Sequence, residues 1–182
     1  LASKQVSNQE ALILFGLLLI VSFILLLMLE LKEILFAIFS LFLLIIYPLT
    51  KRYFKLPQLV LGLAFGSSIP MVFVLEKGVI DFNCIALYIL TIAWAIVYDT
   101  YYAMADKKDD KKIGIKSSAL FFGEKDISYA LNIHLFIIVG FILLGLVNNY
   151  EFSYYFFIVI SMFSVIYQHL LVRSRKPYQC IS

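Results

Sequence analysis

Three aspartates at helical spacing follow directly after an apolar segment. Asp99, Asp106 and Asp110 belong to the stretch YDTYYAMADKKDDKKIGIKSSALFFGEKD, which begins at Tyr98. If the apolar segment continues as a helix through Asp110, spacings of seven and eleven residues place the three carboxylates within about 40° of one another. Tyr102 lies beside this stripe, whereas most of the neighbouring lysines point elsewhere. The sequence therefore predicts an acidic face at the end of an apolar helix.

An acidic face needs a physical partner, and a hard divalent cation is one candidate. Mg²⁺ takes oxygen ligands, typically one or two carboxylates together with waters and phosphates. Such a cation would let the carboxylates receive a diphosphate, which they would otherwise repel, and would neutralise charge on the leaving group. The alternative is a solvated face that forms salt bridges with the many lysines. The segment by itself leaves both interpretations open.

Other polar residues on the same side suit phosphate oxygens. Tyr47 and Lys51 are one helical turn apart in YPLTKRYFKLPQ, so their phenol and ammonium groups can face one spot, with Arg52 beside them. The alternative for these cations is the ordinary basic flank of a membrane span. Gly114 permits a turn after the acidic stripe. Three polar residues follow it and could contact a phosphate or begin the next helix: Lys116, Ser117 and Ser118.

The composition indicates an integral membrane protein. The 182-residue chain is 63% hydrophobic and 15% charged, whereas a soluble domain is about 45–50% apolar and about 25% charged. Six apolar segments are long enough to cross a lipid bilayer, and their continuous rather than alternating pattern favours helices over strands. We predict one all-α, polytopic transmembrane bundle over 1–182, with a connecting segment at 99–126 and spans at about 11–29, 33–50, 57–75, 82–98, 127–147 and 152–172.

The basic residues are distributed unevenly between the two sides of these spans. Of the 15 lysines and arginines, only Lys32 and Lys77 fall on one side. The positive-inside rule places the other side, with segment 99–126, in the cytoplasm or its topological equivalent. That side carries the remaining thirteen: Lys4, Lys51, Arg52, Lys55, Lys107, Lys108, Lys111, Lys112, Lys116, Lys125, Arg173, Arg175 and Lys176. Four acidic residues in the short loops of the far side are predicted to be solvated: Glu30, Glu33, Glu76 and Asp81.

Four residues within the spans carry structural predictions. Gly62 and Gly66 form a GxxxG pattern, which lets two helices approach closely in lipid, and we favour this over a direct ligand contact. Pro70 is expected to kink the same span. His134 is ionisable and lies inside a span; a buried hydrogen bond is the leading interpretation.

The acidic stretch also resembles a known motif. YDTYYAMADKKDDKKIGIKSSAL closely resembles the second aspartate-rich motif of the UbiA family of membrane prenyltransferases, and especially the branch with the pattern YDTxYAMxDxxDDxxIGxKSTAL. Ser118 replaces the usual threonine and keeps the hydroxyl. YPLTKRYFKLPQLVLGLAFGSSIPM is also similar to that branch, including its YxxxK element at Tyr47 and Lys51. The opening LASKQVS resembles the segment that follows the family's first aspartate-rich motif, so the resemblance covers essentially the whole chain.

The resemblance implies a fold of about nine transmembrane helices around a central cavity. It implies Mg²⁺-dependent transfer of a polyprenyl group from polyprenyl diphosphate to 4-hydroxybenzoate, a step of ubiquinone synthesis, in a bacterial or mitochondrial inner membrane and without nucleic acid. Asp106 and Asp110 would bind Mg²⁺ as the family's DxxxD, with Asp99 beginning the motif, and these three would be catalytic. Six residues would meet the diphosphate or shape its pocket: Tyr47, Lys51, Arg52, Tyr102, Lys116 and Ser117.

One departure from the family pattern concerns the first aspartate-rich motif, which is similar to NDxxDxxxD. The sequence contains no such motif, and six spans are seen instead of nine. The chain is therefore interpreted as an internal fragment, and we expect polypeptide 1–182 alone to have little or no prenyltransferase activity. Alternative functions are a family member with a haem, naphthoquinone or chlorophyll-type acceptor, a cation-binding channel or transport subunit, and a non-catalytic membrane scaffold.

Overall fold

The computed structural model describes residues 6–175 and Cys180, and within this part of the chain it is helical without any strand. Six helical segments are long and apolar enough to cross a membrane, which confirms the predicted all-α class. Lys4 and Lys176, which belong to the predicted charge pattern, lie outside the described residues. The helices are α1 (Asn8–Leu26), α2 (Leu31–Tyr53), α3 (Gln58–Gly66), α4 (Ser68–Lys77), α5 (Phe82–Ile113), α6 (Ser118–Phe122), α7 (Asp126–Val147) and α8 (Phe152–Val172), with a 3₁₀ turn at Gly123–Lys125.

Helix α5 is the central element of the bundle. It packs against α3, α4, α6 and α7, while α2 packs against α3 and α4, and α8 packs against α7. Helix α1 has no buried residue. Large apolar side chains such as Leu12 and Phe157 are exposed along the outer helices, as expected for surfaces that contact lipid or further helices.

The crossing of α3 and α5 depends on two glycines. A Cβ atom on Gly62 would lie 3.0 Å from the carbonyl oxygen of Ile92, and one on Gly66 would lie 2.9 Å from the ring of Tyr88. The Tyr88 hydroxyl donates a hydrogen bond of 3.0 Å to the Leu63 carbonyl across the same crossing. The close helix approach predicted from GxxxG is confirmed.

The third apolar segment is broken near its middle. Helix α3 ends at Gly66 and α4 begins at Ser68, two residues before Pro70. Proline has no N–H with which to bond the carbonyl four residues earlier, so the helical ladder is interrupted here. The Ser67 hydroxyl lies at the break and is hydrogen-bonded to the Ser40 hydroxyl of α2. The predicted kink is confirmed.

Helix α5 is too long to lie wholly within a bilayer. Its 32 residues correspond to about 48 Å, whereas the hydrocarbon core is about 30 Å thick. The helix ends at Ile113, and Gly114 caps it with φ 73°, in the left-handed region that favours glycine. The predicted continuation through Asp110 is confirmed, and the last fifteen residues of α5, 99–113, project beyond the apolar segment. Much of the connecting segment 99–126 is therefore helical.

The burial of two polar residues in the helices can be compared with the predictions made for them. His134 is buried, and its Nδ1 lies 3.4 Å from the hydroxyl of Tyr101, so the predicted buried hydrogen bond is present at the long end of its range. Glu33 was predicted to be solvated, and this is wrong, because it is only 1% exposed in the first turn of α2. A short loop predicts exposure, but the packing of the surrounding helices covers this side chain.

Candidate active site

The end of α2 meets the projecting part of α5. The Tyr47 hydroxyl donates a hydrogen bond of 3.2 Å to the Asp99 carboxylate, which joins two residues that are 52 positions apart. The Lys51 ammonium lies 5.1 Å from the centre of the Tyr47 ring. Tyr47 and Lys51 therefore face one spot, as predicted from their spacing, and that spot adjoins the acidic stripe.

The three stripe carboxylates form no ion pair with any residue in the described part of the chain. Asp99 and Asp110 are half-buried and Asp106 is exposed. Nearby lysines pair with other acids instead: Lys112 with Asp109 at 2.9 Å, and Lys107 with Asp126 at 2.8 Å. Among the described residues, the three carboxylates are therefore not neutralised by salt bridges, which was the alternative interpretation. The carboxylates that could bind a cation are the ones that the lysines leave free.

The environments of Asp110 and Asp109 differ, although the residues are adjacent on the projecting part of α5. Burial raises the pKa of Asp110; the nearby Ser117 hydroxyl opposes this, and the charge of Asp106 adds to it. The hydrogen bond and charge of Lys112 lower the pKa of Asp109.

The donor set fits Mg²⁺ as an open site and not as a closed cage. Within residues 6–175 and Cys180, no three His, Cys, Asp or Glu side chains come close enough together to hold a metal ion. The trio Asp99, Asp106 and Asp110 is thus not assembled into a complete coordination shell. Mg²⁺ commonly uses only one or two carboxylates and completes its shell with water and phosphate. The Ser117 hydroxyl is buried beside Asp110 and interacts with that carboxylate without a hydrogen bond of standard geometry.

Lys116 has a role that its sequence position did not reveal. Its backbone N–H donates to the Lys51 carbonyl at 2.8 Å, and its ammonium donates to the Tyr53 carbonyl at 2.8 Å. These bonds satisfy carbonyl groups at the C-terminal end of α2, which have no partner within the helix. Lys116 therefore fastens the segment after Gly114 to α2 in this structure.

Gln58 and Thr100 belong to the site and were missed by the sequence analysis. The Ser118 N–H donates to Gln58 Oε1 at 3.0 Å, and the hydroxyls of Ser118 and Thr100 are hydrogen-bonded at 2.7 Å. All three side chains are buried. A glutamine at the start of an apolar span, directly after Pro57, was the available signal.

Replacing Gln58 by Leu is expected to destabilise the fold by about 1–3 kcal/mol, because the buried Ser118 N–H would lose its acceptor. Thermal unfolding of the detergent-solubilised protein would measure the loss. Gln168→Leu is the matched control, since Gln168 is exposed on α8 and should change the midpoint little. Equal midpoints for the two variants would contradict the role assigned to Gln58.

Comparison with known proteins identifies the class. The profile of the UbiA prenyltransferase family matches residues 1–182. The chain belongs to this family and is an integral, multi-pass membrane protein, as its motifs and apolar helices predicted.

Individual relatives carry a more specific name. The chain is 41% identical over 180 residues to the 4-hydroxybenzoate octaprenyltransferase of Pseudoalteromonas translucida, with 99% of this chain covered. It is 42% identical over 178 residues to the protein of that name from Photobacterium profundum, and 39% identical over 180 residues to that from Escherichia fergusonii. The chain spans 62% of the length of each of these relatives. No solved structure matches it.

Proposed function

We propose that this chain acts in a membrane prenyltransferase that moves a polyprenyl group from polyprenyl diphosphate to 4-hydroxybenzoate, for ubiquinone synthesis. The observation that carries the proposal is the row of carboxylates on α5, which form no ion pair among residues 6–175 and Cys180 and lie beside Tyr47 and Lys51. A polyprenyl diphosphate needs an apolar surface for its isoprenoid chain and a polar site for its diphosphate. Both would be available there. The names of the bacterial relatives favour 4-hydroxybenzoate over haem, naphthoquinone or chlorophyll-type acceptors, and favour a bacterial inner membrane.

In this proposal Asp106 and Asp110, with Asp99, would hold Mg²⁺. When bound, this cation supplies positive charge that neutralises the departing diphosphate. Tyr47 orients the Asp99 carboxylate through its hydrogen bond of 3.2 Å. Lys51 lies where it can meet phosphate oxygens.

A row of aromatic side chains leads from the membrane interior toward the acidic stripe. Phe65 of α3 lies 5.7 Å from Trp94 of α5 between ring centres. Trp94 lies 5.3 Å from Tyr98, and Tyr98 lies 5.0 Å from Tyr102, one helical turn before Asp106. Much of this row is exposed and offers an apolar wall for an isoprenoid chain. Such a wall would also keep water from a reactive allylic group near the carboxylates.

The proposal is tested with the complete gene product in proteoliposomes. Transfer of a radiolabelled polyprenyl group to 4-hydroxybenzoate should stop when divalent cations are removed with EDTA and should return on addition of Mg²⁺. Parallel assays with a naphthoquinone precursor and with haem should give much lower rates. Transfer to one of these acceptors instead would assign a different member of the family, and EDTA-resistant transfer would contradict the cation site.

Replacing Tyr47 by Phe in the complete gene product is expected to lower kcat/KM about tenfold. The variant loses the hydrogen bond to the charged Asp99 carboxylate but keeps the aromatic ring beside Lys51. Tyr53→Phe is the control, because Tyr53 is 73% exposed and only its backbone carbonyl is used in the site. A loss of equal size in both variants would show that the Tyr47 hydroxyl has no specific role.

A further inference from the structure

Asp126 is a fully buried acid that receives two cations. It is the first residue of α7 and is 0% exposed. Lys107 donates to its Oδ2 at 2.8 Å. Arg175 donates to both of its oxygens, at 2.8 Å to Oδ1 and 3.2 Å to Oδ2. A buried carboxylate is stable only when it is paired and hydrogen-bonded, and these three residues, which we call the Asp126 clasp, meet that requirement.

The clasp joins three parts of the fold beside the acidic stripe. Lys107 belongs to the projecting part of α5, directly after Asp106, and its ammonium also donates to the Gly123 carbonyl. Arg175 follows α8 and adopts φ 54°, a conformation that is uncommon for residues other than glycine. Its guanidinium also donates to the Glu124 carbonyl at 3.0 Å. The backbone after α8 is thus turned so that Arg175 reaches Asp126.

Without Asp126, Lys107 would have another acid within reach. It precedes Asp110 by three residues, and side chains three apart on a helix can pair. A pair with this spacing is present in the next turn of the same helix, where Asp109 and Lys112 are three residues apart and form an ion pair at 2.9 Å. Lys107 instead points to Asp126, and Asp110 stays free of any ion pair among the described residues. The position of the Lys107 ammonium therefore contributes to the net charge at the stripe, to which the nearby charge of Lys51 also contributes.

We propose that Asp126 is a positioning residue: it draws Lys107 away from the carboxylates of Asp106 and Asp110 and so keeps them free for a divalent cation. This inference rests on the proposed function of the stripe as a cation site. It adds a residue beyond the motif at 98–120 whose charge controls the cation affinity of that site. Asp126 itself touches neither the cation nor the substrate.

The test measures Mn²⁺ binding, as a probe for Mg²⁺, to the complete gene product by titration calorimetry. Asp126→Asn keeps the shape of the side chain and removes its charge, so Lys107 is released toward Asp110. A unit charge about 6 Å from a divalent cation weakens binding about tenfold in water, and a loss of this size is expected. The double variant Lys107→Met/Asp126→Asn should recover affinity to within about twofold of the parent, since the released ammonium is absent. Lys107→Met alone should bind at least as tightly as the parent.

A second readout follows Lys107 directly. Its acylation by an amine-reactive reagent, measured by mass spectrometry of the Lys107 peptide, should be several-fold faster in Asp126→Asn than in the parent. Lys108, which is exposed on the same helix, should react equally in both proteins and is the internal control. Unchanged reactivity of Lys107 would mean that the clasp does not hold it.

The possible outcomes separate this inference from the proposed function. If the double variant binds no better than Asp126→Asn, the clasp is merely structural and the positioning role is overturned, while the cation site stands. Parent-like affinity in Asp126→Asn overturns it as well. If Asp106→Asn and Asp110→Asn bind Mn²⁺ as tightly as the parent, the stripe is not the cation site, and the proposed function falls together with the inference.

Discussion

Replacing Asp106 or Asp110 by Asn in the complete gene product is expected to lower kcat/KM for prenyl transfer about a thousandfold. Each change removes a negative oxygen ligand from the stripe, and with it the charge that would hold Mg²⁺ against the diphosphate. The rate of labelled prenyl transfer to 4-hydroxybenzoate, measured across Mg²⁺ concentrations, checks this. A variant that only weakens cation binding should recover part of its activity at high Mg²⁺.

Asp109→Asn is the matched control for these variants. Asp109 lies next to Asp110 but is already paired with Lys112 at 2.9 Å, and both side chains of this pair are largely exposed. Surface pairs of this kind contribute little to stability, so activity should stay within about twofold of the parent. If Asp106→Asn and Asp110→Asn behave like Asp109→Asn, the stripe has no catalytic role and the scaffold interpretation gains support.

Gly62→Leu is expected to have the largest effect on the fold. A Cβ atom at this position meets the Ile92 carbonyl at 3.0 Å, which is backbone and cannot turn away. A leucine side chain would separate α3 from α5 and cost about 1–3 kcal/mol or more through overpacking. Unfolding of the purified protein in detergent, followed by helical circular dichroism, measures this loss.

Gly16→Leu is the control for the crossing. Gly16 lies in the middle of α1, and a Cβ atom there meets nothing within 4 Å. Leucine also favours the helix more than glycine does. The unfolding midpoint of the Gly16→Leu protein should therefore be equal to or above that of the parent. A Gly62→Leu protein as stable as the Gly16→Leu protein would mean that the α3–α5 contact contributes little to the bundle.

Gly62→Leu should also affect the candidate active site, because the α3–α5 crossing sets the distance between the residues that α3 and α5 contribute to it. Gln58, at the start of α3, accepts a hydrogen bond from the Ser118 N–H. Thr100 of α5 is hydrogen-bonded to the Ser118 hydroxyl. Displacing α3 from α5 would pull these contacts apart. Reduced prenyl transfer at temperatures where the variant is still folded would be the sign of this coupling.

Local features of the site were predictable from the sequence for a physical reason. The alignment of Asp99, Asp106 and Asp110 follows from the helical period, provided that α5 continues through them, as it does. Gly114 predicted the end of that helix because its left-handed φ of 73° suits glycine. The shared position of Tyr47 and Lys51 follows from their spacing of four. Each of these depends only on residues within a few helical turns.

Contacts between distant segments were not predictable in this way. Tyr47 reaches Asp99 over 52 positions, and Gln58 reaches Ser118 over 60. Lys116 was predicted to contact a phosphate, which stays a prediction, and the hydrogen bond from its ammonium to the Tyr53 carbonyl was not foreseen. Glu33, in a short polar loop, was expected in solvent and is buried. How the helices cross decides these contacts, and no periodicity within one helix specifies that arrangement.

The sequence by itself determined the membrane class, the helical segments and the acidic stripe, because composition and helical spacing act locally along the chain. The family followed from the resemblance of its motifs. The pair of Asp109 and Lys112 follows from their spacing of three, but only the tertiary structure decided that Lys107 pairs with Asp126. Lys107 could pair with Asp110 by spacing, but α7 presents Asp126 to it at 2.8 Å, and Arg175 completes the pair. The absence of an ion pair between Lys107 and Asp110 is thus a result of helix packing, since Lys107 pairs with an acid on another helix.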